Sequence, residues 1–117
     1  MLAPAFPVLA EDDFFLTYHV ERMLSDDLSL EECSSAVERA AGQADLTSRI
    51  DDYPGQLAVV TGGTKGVGAF VVQCIAVDDR TVTVVQGMDY RQAKGDLGRF
   101  ADRVHSELLD AAASGRP

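Results

Sequence analysis

Apolar and polar positions alternate along the early part of the chain, over residues 14–23. Every second residue from position 14 is mostly apolar: Phe14, Leu16, Tyr18 and Val20. The residues between them form a mixed set: Phe15, Thr17, His19 and Glu21. Successive side chains of a strand point to opposite faces. The alternation therefore predicts a strand with one dry face and one mixed face.

Two later segments follow a helical repeat instead. Ser29-Leu30-Glu31-Glu32 forms a capping box, in which the Ser29 hydroxyl and the Glu32 carboxylate each accept from the other's backbone N–H. Apolar residues at helical spacing follow the box and predict a helix over 30–42. A second apolar stripe predicts a C-terminal helix with these positions: Leu97, Phe100, Ala101, Val104 and Leu108.

The segment between the two helices is rich in β-branched residues and interrupted by turns. It predicts a short strand at 46–50, a turn at Tyr53-Pro54-Gly55, and strands at 56–61, 67–77 and 81–88. The loop Gly62-Gly63-Thr64-Lys65-Gly66 and the turn Asp78-Asp79-Arg80 separate the last three strands. Paired aspartates, here and at Asp26-Asp27 and Asp51-Asp52, favour turns because their side chains bond nearby backbone amides.

The element order is therefore β-α-β-β-β-β-α, which defines an α+β fold. Short connections make the consecutive strands antiparallel, since a parallel pair needs a crossover of a dozen or more residues. We expect an antiparallel sheet of about five strands with both helices on one face. We expect the chain to consist of a flexible N-terminal arm at 1–12, one domain at 13–112 and a frayed tail at 113–117.

The strand at 67–77 is apolar on both of its faces, whereas the helices can cover only one. The other face then needs a second cover, because large exposed apolar patches are rare on monomers. The candidates are a protein partner, a ligand or the apolar N-terminal arm. The hypothesis favoured here is a non-catalytic interaction or binding module that forms a homodimer through its sheet.

Charge and cysteine content restrict the class of protein further. The chain has 10 basic and 19 acidic residues, for a net charge of −9. That field repels phosphate backbones, so nucleic acid is not an expected partner, whereas a basic protein is. Cys33 and Cys74 are interpreted as two buried thiols in a reducing compartment, with a single bridge as the alternative. The N-terminus lacks a basic region, which favours a cytoplasmic protein without a membrane segment.

Two short motifs match the short-chain dehydrogenases: Thr61-Gly62-Gly63-Thr64-Lys65-Gly66-Val67-Gly68 and Tyr90-Arg91-Gln92-Ala93-Lys94. The resemblance implies an NAD(P)-binding turn, with Tyr90 as the proton donor and Lys94 as its orienter. That turn requires a helix N-terminus after it, whereas the residues that follow favour a strand. Only 28 residues separate Thr61 from Tyr90, and none is a serine. We interpret the two motifs as coincidental and expect no cofactor.

The candidate site residues are few. A small ligand would be held by Tyr18, His19 or Arg22, directed into a cavity between sheet and helices. Lys65, Arg91 and Lys94 could gather at one end of the sheet and bind an anion. His19 and His105 are the only histidines, and no third residue at metal-ligand spacing accompanies them, so no metal site is expected.

The order of elements is similar to that of the PsbP-like α+β domains. These include photosystem accessory subunits and small bacterial lipoproteins. The resemblance covers most of residues 14–109 and includes the helix that opens with Ser29-Leu30-Glu31-Glu32. It implies a protein that binds other proteins or small ligands rather than a catalyst. A small-ligand protein or a small enzyme remains the alternative, and an inhibitor of a basic toxin would be a special case of the interaction module.

Overall fold

The alternating segments and helical repeats form secondary structure in the predicted order. The computed structural model describes residues 13–114. Its elements are β1 (Phe15–Leu24), α1 (Leu30–Gln43), β2 (Thr47–Tyr53), β3 (Leu57–Thr64), β4 (Gly68–Val77), β5 (Arg80–Asp89) and α2 (Asp96–Ser114). The predicted α+β class, with five strands and two helices, is confirmed.

The five strands form one antiparallel sheet in the order β1-β5-β4-β3-β2. Strands β2 to β5 follow one another as a meander, and β1 pairs with β5. β4 is therefore the central strand, whereas β1 and β2 form the two edges. The capping box at the start of α1 is present, with the Ser29 hydroxyl accepting from the Glu32 N–H at 3.0 Å.

Both helices lie on the same face of the sheet and contact each other. α1 covers β2, β3 and β4, whereas α2 covers β1, β5 and part of β4. The core between the layers is fully buried at Leu28, Val37, Val72 and Leu108. The opposite face of the sheet is not covered by any described element.

The glycine-rich stretch after Val60 is a hairpin between β3 and β4. A turn closed by the Val67 N–H and the Thr64 carbonyl at 2.9 Å leads directly into β4, so no helix N-terminus follows the dehydrogenase-like motif. Tyr90 and Lys94 lie in the loop before α2, not on a helix. The interpretation of both motifs as coincidental stays a prediction.

The predicted loop at 62–66 is shorter in the structure, because Gly62 and Gly63 belong to β3. Of the glycines in this stretch, Gly63 and Gly66 have a positive φ. Gly62 and Gly68 are needed for space, because a Cβ there would collide with the carbonyl oxygens of Thr47 and Met88. Close backbone approach, in addition to turning, explains the glycines.

A disulfide joins the two cysteines, which corrects the interpretation of two separate thiols. Cys33 in the first turns of α1 lies over Cys74 in β4, with the Cα atoms 6.2 Å apart and both residues fully buried. The two are 41 positions apart in sequence. Only the packing of α1 on the central strand brings them together, which explains why their spacing gave no sign of a bridge.

Several predicted boundaries shift. β2 extends to Tyr53, so Asp51 and Asp52 lie inside a strand and not in a turn. α2 continues to Ser114, so the tail predicted to begin at 113 starts with two helical residues. The predicted arm at 1–12 and the last three residues lie outside the described part of the chain.

Candidate functional site

The edge strand β1 carries polar side chains on the face that meets the helices. Thr17, His19 and Glu21 are half-buried against α2, and only Met23 at the end of this row is a buried apolar residue. The dry face of the strand, with Tyr18 and Val20, points away from the helices. β1 therefore places its mixed face inward and its apolar face outward.

Four side chains meet between β1 and α2 and form what we call the β1–α2 cluster: His19, Lys94, Asp102 and His105. His19 Nε2 lies 2.8 Å from Asp102 Oδ1, and the Lys94 ammonium pairs with the other oxygen of the same carboxylate. The His105 ring stacks on the His19 ring, with centroids 4.2 Å apart and planes inclined by 3°. These side chains remain in partial contact with solvent, at 30% exposure for His19 and 40% for Asp102.

The cluster shifts the pKa of two of its members. The hydrogen bond from Lys94 lowers the pKa of Asp102, and the bond to His19 acts in the same direction against the opposing effect of burial. Burial lowers the pKa of His105 below its ordinary value, and the neighbouring His19 lowers it further. Glu21 and Asp102 oppose that shift. His105 Nδ1 is buried and has no hydrogen-bond partner in the described structure.

Asp89 fixes the position of α2 above β1. Its carboxylate is 1% exposed and accepts three backbone hydrogen bonds, from Gly95 at 2.8 Å, Leu97 at 3.0 Å and Gly98 at 2.9 Å. These N–H groups at a helix N-terminus have no partner within the helix. A Cβ at Gly98 would lie 2.6 Å from the Thr17 hydroxyl oxygen, so glycine is needed for this close approach.

The uncovered side of the sheet, which we call the open face, consists of the outward side chains of all five strands. Its exposed members include Tyr18 at 64% and Val20 at 59% exposure. Apolar side chains of the inner strands continue the surface, and several are only half-buried: Leu57, Val59, Val71, Ile75, Val82, Val84 and Met88. Asp51 is the one carboxylate that the described strands direct to this face, and it pairs with Arg49 at 3.2 Å.

The structure separates the three residues predicted to line a ligand cavity. His19 faces α2, whereas Tyr18 and Arg22 belong to the open face. Arg22 and Arg80 border an open depression of about 840 Å³ beside Asp27 and the C-terminal turns of α2. The ligand-binding role of Tyr18, His19 and Arg22 stays a prediction.

The three residues predicted to bind an anion lie at the same end of the sheet. Lys65 is in the β3–β4 turn, and Arg91 and Lys94 are in the loop before α2. The Tyr90 N–H donates to the Val67 carbonyl at 3.0 Å and connects the two segments. The Lys94 ammonium, however, is already paired with Asp102. An anion site here also stays a prediction.

Among residues 13–114, no group of three or more His, Cys, Asp or Glu side chains is arranged to hold a metal ion. No helix in that range is both long and apolar enough to cross a membrane.

The fold and its cluster define a small α+β domain with two helices on one sheet face and no described element on the other. The chain belongs to a family of unknown function, DUF6180, whose model matches residues 13–113. No curated protein matches it. Among solved structures, it is similar to the crystal structure of the Mll3558 protein from Rhizobium loti, with 14% identity and a TM-score of 0.47 over 89% of this chain and 99% of that one. A similarity this distant carries no information about function.

Proposed function

We propose that this protein is a non-catalytic interaction module that forms a homodimer through the open face. The observation that supports the proposal is the apolar surface on β1, β3, β4 and β5 that no described element covers, with Tyr18 and Val20 more than half exposed. Contiguous apolar surface of this extent on a monomer marks an interaction site. The occupant proposed is a second copy of the same chain.

The area of the open face suits such a pairing. Five strands about 4.8 Å apart and 7 to 10 residues long cover about 700 Å². A standard protein interface buries about 800 Å² from each partner. Two such faces can pack with their strands about 30° apart, as the layers of a β-sandwich do.

The charged side chains of the open face lie at its margins, so its centre carries no charge: Arg22, Arg49, Asp51 and Arg80. The chain carries a net charge of −9, yet Asp51 is the only carboxylate that the described strands direct to the open face. Its pairing with Arg49 neutralises it. Two copies that meet here keep their surplus of carboxylates on the outer surfaces, where water and salt screen the repulsion.

Light scattering after size-exclusion chromatography tests the proposal on the full chain. We expect a mass twice the 12.5 kDa of one chain at micromolar concentration. Val20→Glu places a charge on the most exposed strand of the open face and should give the mass of one chain. Val67→Glu is the matched control, because Val67 is also exposed, at 45%, but lies in the β3–β4 turn. The control should remain dimeric.

A wild-type protein with the mass of one chain would overturn the homodimer. If removal of residues 1–12 then increased the binding of a hydrophobic dye, the N-terminal segment of the same chain would be the cover. Equal masses for the two valine variants would show that pairing uses another surface. Circular dichroism of each variant confirms that the fold is retained.

A further inference from the structure

We propose that the β1–α2 cluster is an acid-sensitive latch, which holds β1 against α2 near neutral pH and weakens when both histidines are protonated. Its effect on dimerisation rests on the proposed function, because β1 carries the most exposed apolar side chains of the open face. The latch itself depends only on contacts within one chain.

The position of the cluster at an edge of the sheet gives it this role. Among the described strands β1 is hydrogen-bonded only to β5, and α2 packs against its inward face. The inward side chains that provide this support are polar along Thr17, His19 and Glu21. Because ionisable groups make part of the contact between β1 and α2, the stability of that contact depends on pH. A purely apolar contact would not show this dependence.

The parallel stack of the two rings makes double protonation unfavourable. A proton on His19 leaves its bond to Asp102 in place. A second proton on His105 would put two positive charges 4.2 Å apart, with the Lys94 ammonium also nearby. Glu21 on β1 and Asp102 on α2 offset part of that repulsion. β5 places no charged group beside the stack, since Thr83 and Val85 are its nearest inward residues.

The direction of the pH effect follows from His105. Burial and the neighbouring His19 lower the pKa of His105 below 6.5, so folding favours the neutral ring. The stability that the neutral ring contributes is complete above pH 6.5 and decreases as the pH falls below that value. The lowered pKa of Asp102 acts only below pH 3.8 and cannot produce a change near pH 6.

Thermal unfolding followed by circular dichroism tests the latch. Between pH 7.5 and pH 5.5 we expect the melting temperature of the wild type to fall by about 5 °C. His105→Phe keeps a stacked ring that cannot be protonated, so its melting temperature should fall by less than half as much. Asp102→Asn leaves the Lys94 ammonium unpaired beside the stack, so its melting temperature should fall by more than that of the wild type. Equal losses in all three proteins would overturn the proposal.

Proton NMR provides a second measurement on the wild type. Because the chain contains only two histidines, each ring signal can be assigned with the His105→Phe variant. We expect His105 to titrate below the ordinary range of histidine, with a change in its ring signals as the ring leaves the stack. Titration of His105 with the ordinary pKa of histidine would contradict the latch.

Dimerisation is measured on the same samples by analytical ultracentrifugation. We expect the dissociation constant of the wild type to rise by about tenfold between pH 7.5 and pH 5.5, and to change less in His105→Phe. A wild type that stays monomeric at both pH values would overturn the proposed function and the link to dimerisation. The latch would still be judged by the difference in melting temperature between the wild type and His105→Phe.

Discussion

Asp89 shows how one buried carboxylate can determine the position of a helix. It accepts from the backbone N–H groups of Gly95, Leu97 and Gly98 at the start of α2. Asp89→Asn keeps the shape of the side chain but replaces one carboxylate oxygen with an amide NH2 group. That group is a donor and would face the backbone N–H donors of α2. We expect the free energy of unfolding to fall by about 2 kcal/mol, because hydrogen bonds to buried charged groups are worth more than ordinary ones. Urea unfolding followed by circular dichroism measures the change.

The same substitution at Asp96 serves as the control. Asp96 lies in the first turn of α2, but its side chain is 82% exposed and pairs with Arg99 on the surface. Exposed pairs of this kind contribute little, so Asp96→Asn should change stability by less than about 0.5 kcal/mol. Similar losses at the two positions would mean that Asp89 does not act through the buried cap.

Most roles that depend on local sequence were predicted, with the turn at Asp51-Asp52 as an exception, and roles that depend on packing were not. The Ser29–Glu32 box and the Asp78-Asp79 turn are local, and both are confirmed. His19 was a candidate from its strand, but its partner Asp102 is 83 residues away. No spacing rule relates two residues at that distance. The Asp89 cap was missed for the same reason, since it became visible only once β5 and α2 were in contact.

At the scale of elements, the disulfide ties α1 to the central strand. It links Cys33 and Cys74 across 41 positions, and closing a loop of that length lowers the entropy of the unfolded chain. The chain-entropy estimate for such a loop is about 3–4 kcal/mol. Reduction, or the double variant Cys33→Ala with Cys74→Ala, should lower the free energy of unfolding by about that amount. Urea unfolding with and without reductant measures it.

The double variant also provides the control, because its unfolding should not respond to reductant. Alkylation in denaturant before any reduction, followed by intact mass measurement, establishes the bond directly. Modification of two thiols in unreduced protein would show that the bridge is absent. A disulfide is at odds with the interpretation of two thiols in a reducing compartment, since such bonds are rare in the cytosol.

Hydrophobic periodicity predicted the elements better than their ends or their orientation. The alternation in β1 and the helical stripe of α2 were sufficient to establish type and order. Strand β2 was predicted too short, because Asp51 and Asp52 favour turns by propensity and were carried into a strand by pairing with Val59 and Ala58. Periodicity also did not predict which face of β1 meets the helices. The apolar face of β1 belongs to the open face, and the mixed face meets α2.

At the scale of the whole molecule, the two helices cover one side of a five-stranded sheet, and no other element within residues 13–114 covers the opposite side. This asymmetry was predictable, because β4 is apolar on both faces and two helices cannot cover both. What occupies the open face is not encoded in any local pattern, since a second copy, a ligand and a chain segment all require an apolar surface. The proposed homodimer is argued instead from the area of the face and from the position of its charged side chains at the margins.

If two copies pair through the open face, stability must depend on protein concentration. Folding and pairing are then one equilibrium, and mass action favours the folded dimer as concentration rises. We expect the melting temperature of the wild type at pH 7.5 to increase by about 3 °C for each tenfold increase in concentration. Scanning calorimetry over a hundredfold range measures this. Val20→Glu should melt at a temperature independent of concentration, whereas Val67→Glu should follow the wild type. A constant melting temperature for the wild type would show that pairing through the open face does not stabilise the fold.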